Sequence, residues 1–200
     1  MTTIAVLLPS RGLVFSQTIG EVLREVAPFS YQIFFSHSRP IPEAFNEPMD
    51  KILRGSFDYV WIVEEDMVLP KGILKELLDL NQPIATMDYP AVEGVMCVQR
   101  DQDGNVEYTG TGCLLIERGV LELVKKPIFS TDHIWGTDGK YLGKRDPREK
   151  VYGQHDIHFF KQIKELGIPI GVTKTVGHQR KIVEYGQKEV NDGFHEIKII

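Results

Sequence analysis

The sequence predicts an α/β protein: a three-layer α/β/α sandwich around a mostly parallel central sheet, with a small antiparallel hairpin added. Three observations carry that expectation. Short unbroken apolar runs at 4–8 and 59–63 have the length and continuity of strands buried on both faces. Between them lie amphipathic stretches with apolar residues at helical spacing, as parallel crossovers require. A polar Asp-Gly turn at 101–105 then joins two short strand-like runs, which signals a hairpin. The chain has 200 residues, 42% of them hydrophobic and 26% charged, enough for one core; wholesale disorder and a fibrous protein are excluded.

In chain order, Ile4 to Leu8 reads as a buried strand stopped by Pro9-Ser10-Arg11-Gly12. Ser16 stands as an N-cap before Ile19, Val22, Leu23 and Val26, a helix that Pro28 ends. Tyr31 to Phe35 is the second strand. Ser36 to Pro42 is loop, because Pro40 and Pro42 cannot continue regular structure. A helix from about Phe45 to Leu53 carries Pro48 near its first turn, where proline is tolerated. Asp58 to Val63 is the most apolar strand and runs into Glu64-Glu65-Asp66. After Pro70 a helix sets Ile73, Leu74, Leu77 and Leu78 on one face, and Ile84 to Met87 begins the next strand. Val95 to Arg100 and Val106 to Tyr108 form the hairpin. Cys113 to Ile116 is a strand and Arg118 to Val124 a short helix. Residues 130–153 show little periodicity and much Gly, Asp and Lys, as functional lids do. Gln154 to Leu166 is an amphipathic helix closed by Gly167. Ile170 to Val172 and Thr175 to Val176 are short strands before Gly177-His178, and the polar tail ends β-like at 197–200. There are no internal repeats.

The 28 acidic residues against 23 basic, a net charge of −5, argue against nucleic-acid binding by bulk charge. Cys97 and Cys113 sit in apolar runs without CxxC spacing, which predicts buried thiols in a reducing compartment. No apolar stretch reaches the roughly 18 residues of a membrane helix. The start, Met-Thr-Thr-Ile-Ala-Val-Leu-Leu, lacks a basic n-region and reads as a strand instead of a signal peptide. A soluble, cytoplasmic protein is expected.

The chemistry concentrates where the 59–63 strand ends. In open α/β sheets, ligands bind beyond the carboxyl ends of strands. Three adjacent carboxylates repel unless a cation or a set of donors compensates. Alternation along an extended chain would point Glu64 and Asp66 one way and Glu65 the other, and two oxygen ligands on one side suit Mg²⁺ or Mn²⁺. The triplet also reads as a solvated acidic turn ahead of the helix after Pro70. Its place at the end of the most buried strand favours the cation.

VWIVEEDMVLP, with a strand before and an amphipathic helix after, resembles the nucleotide-sugar-dependent glycosyltransferases of the GT-A fold, of the family 2 type. The resemblance implies an Asp-x-Asp-type motif, here Glu64-x-Asp66, that binds a divalent metal (Mn²⁺ or Mg²⁺) and the donor diphosphate. It implies Asp66 as direct ligand, Glu64 on the ribose, the donor sugar or the metal through water, and Glu65 beside the donor. IAVLLPSRG resembles the family's first strand, with Pro9, Ser10, Arg11 and Gly12 lining the nucleotide pocket. SRPIPEAFNEPMDKIL implies Arg39 and Asn46 facing the nucleotide. TGTGCLLIERGVLE resembles the segment around donor sugar and acceptor, where Gly110 and Gly112 permit close approach. One GT-A-like domain over 1–200 is implied: a nucleotide and metal half (1–87), a donor-sugar and acceptor half with loop 130–153 (88–178), and a tail (179–200).

Gly153-Gln154-His155-Asp156-Ile157-His158-Phe159 resembles the family's Glu-Asp-x-Asp-Phe. Asp156 takes the place of the catalytic base of inverting members, while His155 and His158 replace the two other acids. Asp156 also reads as a helix-capping residue. His155 and His158, three apart, have the spacing of a zinc half-site, but no matching cysteines or HExxH pattern accompany them. VGHQR resembles the late histidine that completes the metal site, which makes His178 a ligand. The implied activity is metal-dependent transfer from a UDP-sugar to a hydroxyl of a glycan, lipid-linked or protein acceptor. Lys140, Lys144, Arg145 and Arg148 would close over the donor; the same run also reads as a solvated loop. Ser36-His37-Ser38 stands where the family commonly has an acidic residue reading uracil. Two alternatives stay open. A sugar nucleotidyltransferase would carry a glycine-rich basic loop, and PSRGLVFS has one glycine and one arginine. A non-catalytic binding protein on the same scaffold fits the altered Glu64, His155 and His158 positions.

Overall fold

The computed structural model describes residues 1–10, 14–36, 41–90, 95–135, 141–144, 154–179, 182–183 and 198–199. In chain order these form β1 (Thr3–Leu8), α1 (Ser16–Val26), β2 (Ser30–Phe35), α2 (Glu43–Ile52), β3 (Tyr59–Val63), β4 (Met67–Val68), α3 (Ile73–Asp79) and β5 (Ile84–Asp88). After these come β6 (Gln99–Arg100), β7 (Val106–Tyr108), β8 (Cys113–Glu117), α4 (Arg118–Leu123), β9 (His133–Trp135), β10 (Tyr141–Lys144), α5 (His155–Glu165), β11 (Ile170–Val176), β12 (His178–Gln179), β13 (Ile182–Val183) and β14 (Lys198–Ile199).

Six strands make the central sheet in the order β11-β5-β8-β3-β1-β2. β1 pairs parallel with β2 and β3, and β5 with β11; β8 lies antiparallel between β3 and β5. The fold is therefore the expected mixed, mostly parallel α/β sandwich. Its continuous apolar strands are explained by two cores. Ile4, Val6 and Leu8 of β1 and Trp61 and Val63 of β3 face α1 and α3. Ala5 and Leu7, with Val60 and Ile62, face α2, α4 and α5 around Phe45, Phe129, Phe159 and Phe160. Alternation sends neighbouring side chains to opposite layers, so a strand covered on both faces has no polar face to show.

Several local expectations need correction. Phe15, not Ser16, takes the N-cap position of α1, without a side-chain cap. α2 begins at Glu43, so Pro48 lies inside the helix and not in its first turn. Its missing N–H is offset by burial of its ring. Residues 130–153 are not wholly irregular, since β9 and β10 pair antiparallel within them. Residues 170–176 form one strand with an irregularity between Val172 and Val176, held by Glu76 of α3. Glu76 accepts the Lys174 and Thr175 N–H groups at 2.7 and 3.1 Å and the Thr175 hydroxyl at 2.6 Å. Both cysteines are buried free thiols, and burial pushes the Cys113 thiol up to about 12. Among the described residues, no helix is long and apolar enough to cross a membrane.

Candidate active site

Topology brings the candidate residues to one edge. The carboxyl ends of β1, β3, β5 and β11 share that edge, and β8, being antiparallel, begins there. The segment 109–112 before β8 therefore faces the acids at the end of β3.

Glu64, Glu65 and Asp66 do not alternate as an extended chain would. Residues 65 and 66 form a turn in which Met67 donates its N–H to the Glu64 carbonyl at 3.2 Å. Helix α1 holds this turn and the backbone beyond it. Phe15 donates its N–H to the Glu65 carbonyl at 3.2 Å, and the Thr18 hydroxyl donates to the Met67 carbonyl at 2.9 Å. Glu21 accepts the Leu69 N–H at 2.8 Å, while Arg24 donates to the Leu69 carbonyl at 2.8 Å. Glu25 accepts the Gly72 N–H at 3.0 Å ahead of α3. One face of α1 thus supplies the partners that the irregular 65–72 backbone lacks.

The acids end in different surroundings. Glu65 and Asp66 are 7% and 8% exposed. Glu64 accepts the Thr111 hydroxyl at 2.5 Å. Burial, opposed by that hydrogen bond, raises its pKa from 4.5 to about 7, and the negative charges of Asp66, Asp156 and Glu65 add to the rise. Four carboxylates from two distant stretches are therefore within electrostatic reach of one another.

A cleft of about 370 Å³ opens beside them, with Glu64, Tyr89, Gly110, Thr111, His155 and Asp156 in its wall. Asp156 lies in the first turn of α5, which the chain enters through the left-handed Gln154 (φ +63°). Asp156 Oδ1 accepts the Ile157 N–H at 2.9 Å. His155 is 6% exposed and its ring lies 4.4 Å from that of Phe45. Its Nε2 is 3.1 Å from the Thr111 hydroxyl, and burial lowers its pKa. His158 instead sits 3.1 Å from the Gln162 amide, one turn along α5.

His178 is exposed on β12, which pairs antiparallel with β4, the strand that follows the acids, with His178 in register with Val68 and Gln179 with Met67. Gln179 also lines the cleft. Where the chain turns into β12, a Cβ at Gly177 would lie 2.0 Å from Met87 Cε, so the end of the Met87 side chain packs on this glycine.

Pro9 and Ser10 are buried beyond β1, and Ser10 donates its N–H to Ser36 Oγ at 2.8 Å, joining the ends of β1 and β2. Asn46 spends both ends of its amide on Phe129, donating to its carbonyl at 2.8 Å and accepting its N–H at 3.1 Å. Lys144 is exposed at the end of β10. Arg11, Gly12, His37, Ser38, Arg39, Lys140, Arg145 and Arg148 lie outside the described residues.

Tyr89 is the wall residue that sequence reasoning missed. Its hydroxyl accepts the Gly112 N–H at 2.9 Å, and a Cβ at Gly110 or Gly112 would stand 2.3 or 2.4 Å from that oxygen. The close approach these glycines allow is to a tyrosine of the protein itself. The aromatic residue after the β5 run, in Met-Asp-Tyr-Pro, was the available signal. Burial and then the Glu64 charge hold the Tyr89 hydroxyl well above the usual phenol range. Gly112→Ala should lower stability by about 1–3 kcal/mol, read by denaturant unfolding, because Tyr89 and Met67 must both shift to admit the methyl.

The residues fit a divalent ion in one specific way. Among the described residues, no three His, Cys, Asp or Glu side chains are grouped to hold an ion between them. The oxygens on offer are carboxylates, with the strand that bears His178 alongside, and burial first, then the neighbouring negative charges, raise the pKa of Glu64. That suits a hard cation held by one or two side chains and completed by substrate phosphates, not a closed protein cage.

No protein-family model and no curated protein sequence matches this chain. Solved structures do. The STIV protein A197 superposes with a TM-score of 0.60 at 18% identity, covering 92% of this chain and 87% of that one. Drosophila β1,4-galactosyltransferase 7, in complex with manganese, UDP-Gal and xylobiose, gives 0.53 at 15% identity, covering 88% of this chain and 66% of that one. Glucosyl-3-phosphoglycerate synthase from Mycobacterium tuberculosis, in complex with Mn²⁺, UDP-glucose and phosphoglyceric acid, gives 0.52 at 13% identity, covering 90% and 72%. The fold is GT-A-like. This chain spans just under two thirds of the galactosyltransferase chain.

Proposed function

We propose that this GT-A-like chain is a metal-dependent glycosyltransferase that moves a sugar from a nucleotide-diphosphate sugar, UDP-linked, to an acceptor hydroxyl. The observation that carries the reading is the convergence of Glu64 and Asp156 on one cleft, at the edge of the sheet where Asp66 and the His178 strand also lie. Two structural neighbours hold Mn²⁺ with a UDP-sugar, which supports the choice of donor.

Asp66 and His178, with Glu64 beside them, are the residues to hold Mn²⁺ or Mg²⁺; the bound ion would neutralise charge on the departing diphosphate. Pro9, Ser10, Arg11, Arg39 and Glu65 are assigned to the nucleotide side. Asn46 has both ends of its amide committed to Phe129, whose ring packs on His155. Gly110 and Gly112, wedged on Tyr89, shape the donor-sugar wall. Asp156 takes the proton of the acceptor hydroxyl as its oxygen bonds to the anomeric carbon. The bond from that carbon to the diphosphate oxygen breaks, and its electron pair leaves with the nucleoside diphosphate. A single displacement of this kind inverts the anomeric configuration. The 1–87 half supplies the nucleotide side and the 88–178 half the acceptor side, with cytoplasmic action on a glycan, lipid-linked or protein acceptor. Release of nucleoside diphosphate from nucleotide sugars, with and without Mn²⁺, tests the reading.

A further inference from the structure

We infer that His155 is a positioning residue for Glu64: its Nε2–H donates to the Thr111 hydroxyl, which is thereby committed to donate to Glu64 Oε1. The inference rests on the glycosyltransferase reading for what Glu64 faces, but its geometry stands independently. The three groups come from three separate elements: the turn after β3, the segment before β8 and the first turn of α5.

The direction of the chain of hydrogen bonds is set by the inventory of donors. The Thr111 hydroxyl lies 2.5 Å from Glu64 Oε1 and donates to that oxygen. The single Thr111 hydrogen is then used. At 3.1 Å from Nε2, its oxygen must accept, so Nε2 carries the proton and Nδ1 is bare. Among the described residues Nδ1 is the ring nitrogen buried without a hydrogen-bond partner, and the imidazole ring packs against those of Phe45 and Phe129. A threonine alone would be free to rotate its hydroxyl toward the cleft. A donor behind it removes that freedom and gives Glu64 one orientation in the cleft wall.

The resemblance places a glutamate at this position. A carboxylate there would compete with Glu64 for the same hydroxyl hydrogen, whereas imidazole can donate.

Nitrogen-15 and carbon-13 NMR of the full chain, combined with kinetics, tests this. In the wild type, His155 should be neutral with the proton on Nε2 and that proton protected from exchange. Thr111→Val should abolish the protected proton and move the Glu64 carboxyl resonance, while Thr111→Ser should preserve both. With nucleotide sugar, Thr111→Val and His155→Phe should lower kcat by roughly 10- to 100-fold at little changed donor KM. His155→Gln, which keeps a donor, should recover most of the rate that His155→Phe loses at equal Tm. An Nδ1–H tautomer in the wild type overturns the inference, as does a folded Thr111→Val protein with wild-type turnover. If the wild type turns over no nucleotide sugar, the glycosyltransferase reading falls. The tautomer and the Glu64 resonance then still decide whether His155 positions Glu64.

Discussion

Asp156→Asn should lower glycosyl transfer by roughly 10²- to 10⁴-fold, the range general-base catalysis contributes, while leaving affinity for the donor within about twofold. The expectation comes from where the side chain is. Asp156 lines the cleft with Glu64, and its charge is felt across it, raising the proton affinity of Glu64, Tyr89 and Tyr108 and opposing the fall in that of His155. Asparagine keeps the shape and can still accept the Ile157 N–H from its side-chain oxygen. If the residue only capped α5, transfer would survive the substitution, and Tm should be nearly unchanged either way. Parallel loss of donor binding and turnover would instead place Asp156 on the donor.

Metal-free protein should lose stability as pH rises from about 4.5 to about 7, and Glu64→Gln should abolish that part of the loss. Glu64 has a folded-state pKa of about 7 against an ordinary 4.5, chiefly through burial. Below 4.5 the group is protonated in both states and its contribution is fully present. Between 4.5 and 7 the unfolded chain ionises while the folded one holds its proton, so each pH unit removes up to about 1.4 kcal/mol. Above 7 both states are ionised and the contribution is gone, a total of roughly 3 kcal/mol at most. Glutamine has no charge to desolvate, so above pH 7 the variant should be the more stable protein in chemical denaturation. Equal pH slopes for the two would contradict the placement of Glu64 in a desolvated acidic pocket.

The layer architecture was legible because it depends on periodicity. Continuous aliphatic runs such as Ile4 to Leu8 can only be strands covered twice, and the two cores on either side of β1 and β3 show why. The insertion of β8 antiparallel between β3 and β5 was not legible, since Cys113 to Ile116 carries no mark of direction or neighbour. That placement sets Thr111 against Glu64. The alternation expected for Glu64 to Asp66 failed because α1 imposes a turn through Phe15, Thr18 and Glu21, long-range hydrogen bonds that no local pattern announces. Gly110 and Gly112 were expected to admit donor and acceptor, and the group packed on them is a side chain of the protein itself. The approaching group, Tyr89, lies more than twenty residues before them in the chain, and sequence spacing could not select it.

If Glu64, Asp66 and Asp156 form a metal-dependent donor site, release of nucleoside diphosphate reports it. Wild-type protein incubated with a panel of nucleotide sugars, UDP-sugars first, should release diphosphate in Mn²⁺, lose that release on chelation and recover it on re-addition, while Asp66→Ala should release none under any of these conditions. Donor binding without release from any nucleotide sugar, or release that is indifferent to Mn²⁺ and to Asp66→Ala, would contradict the account.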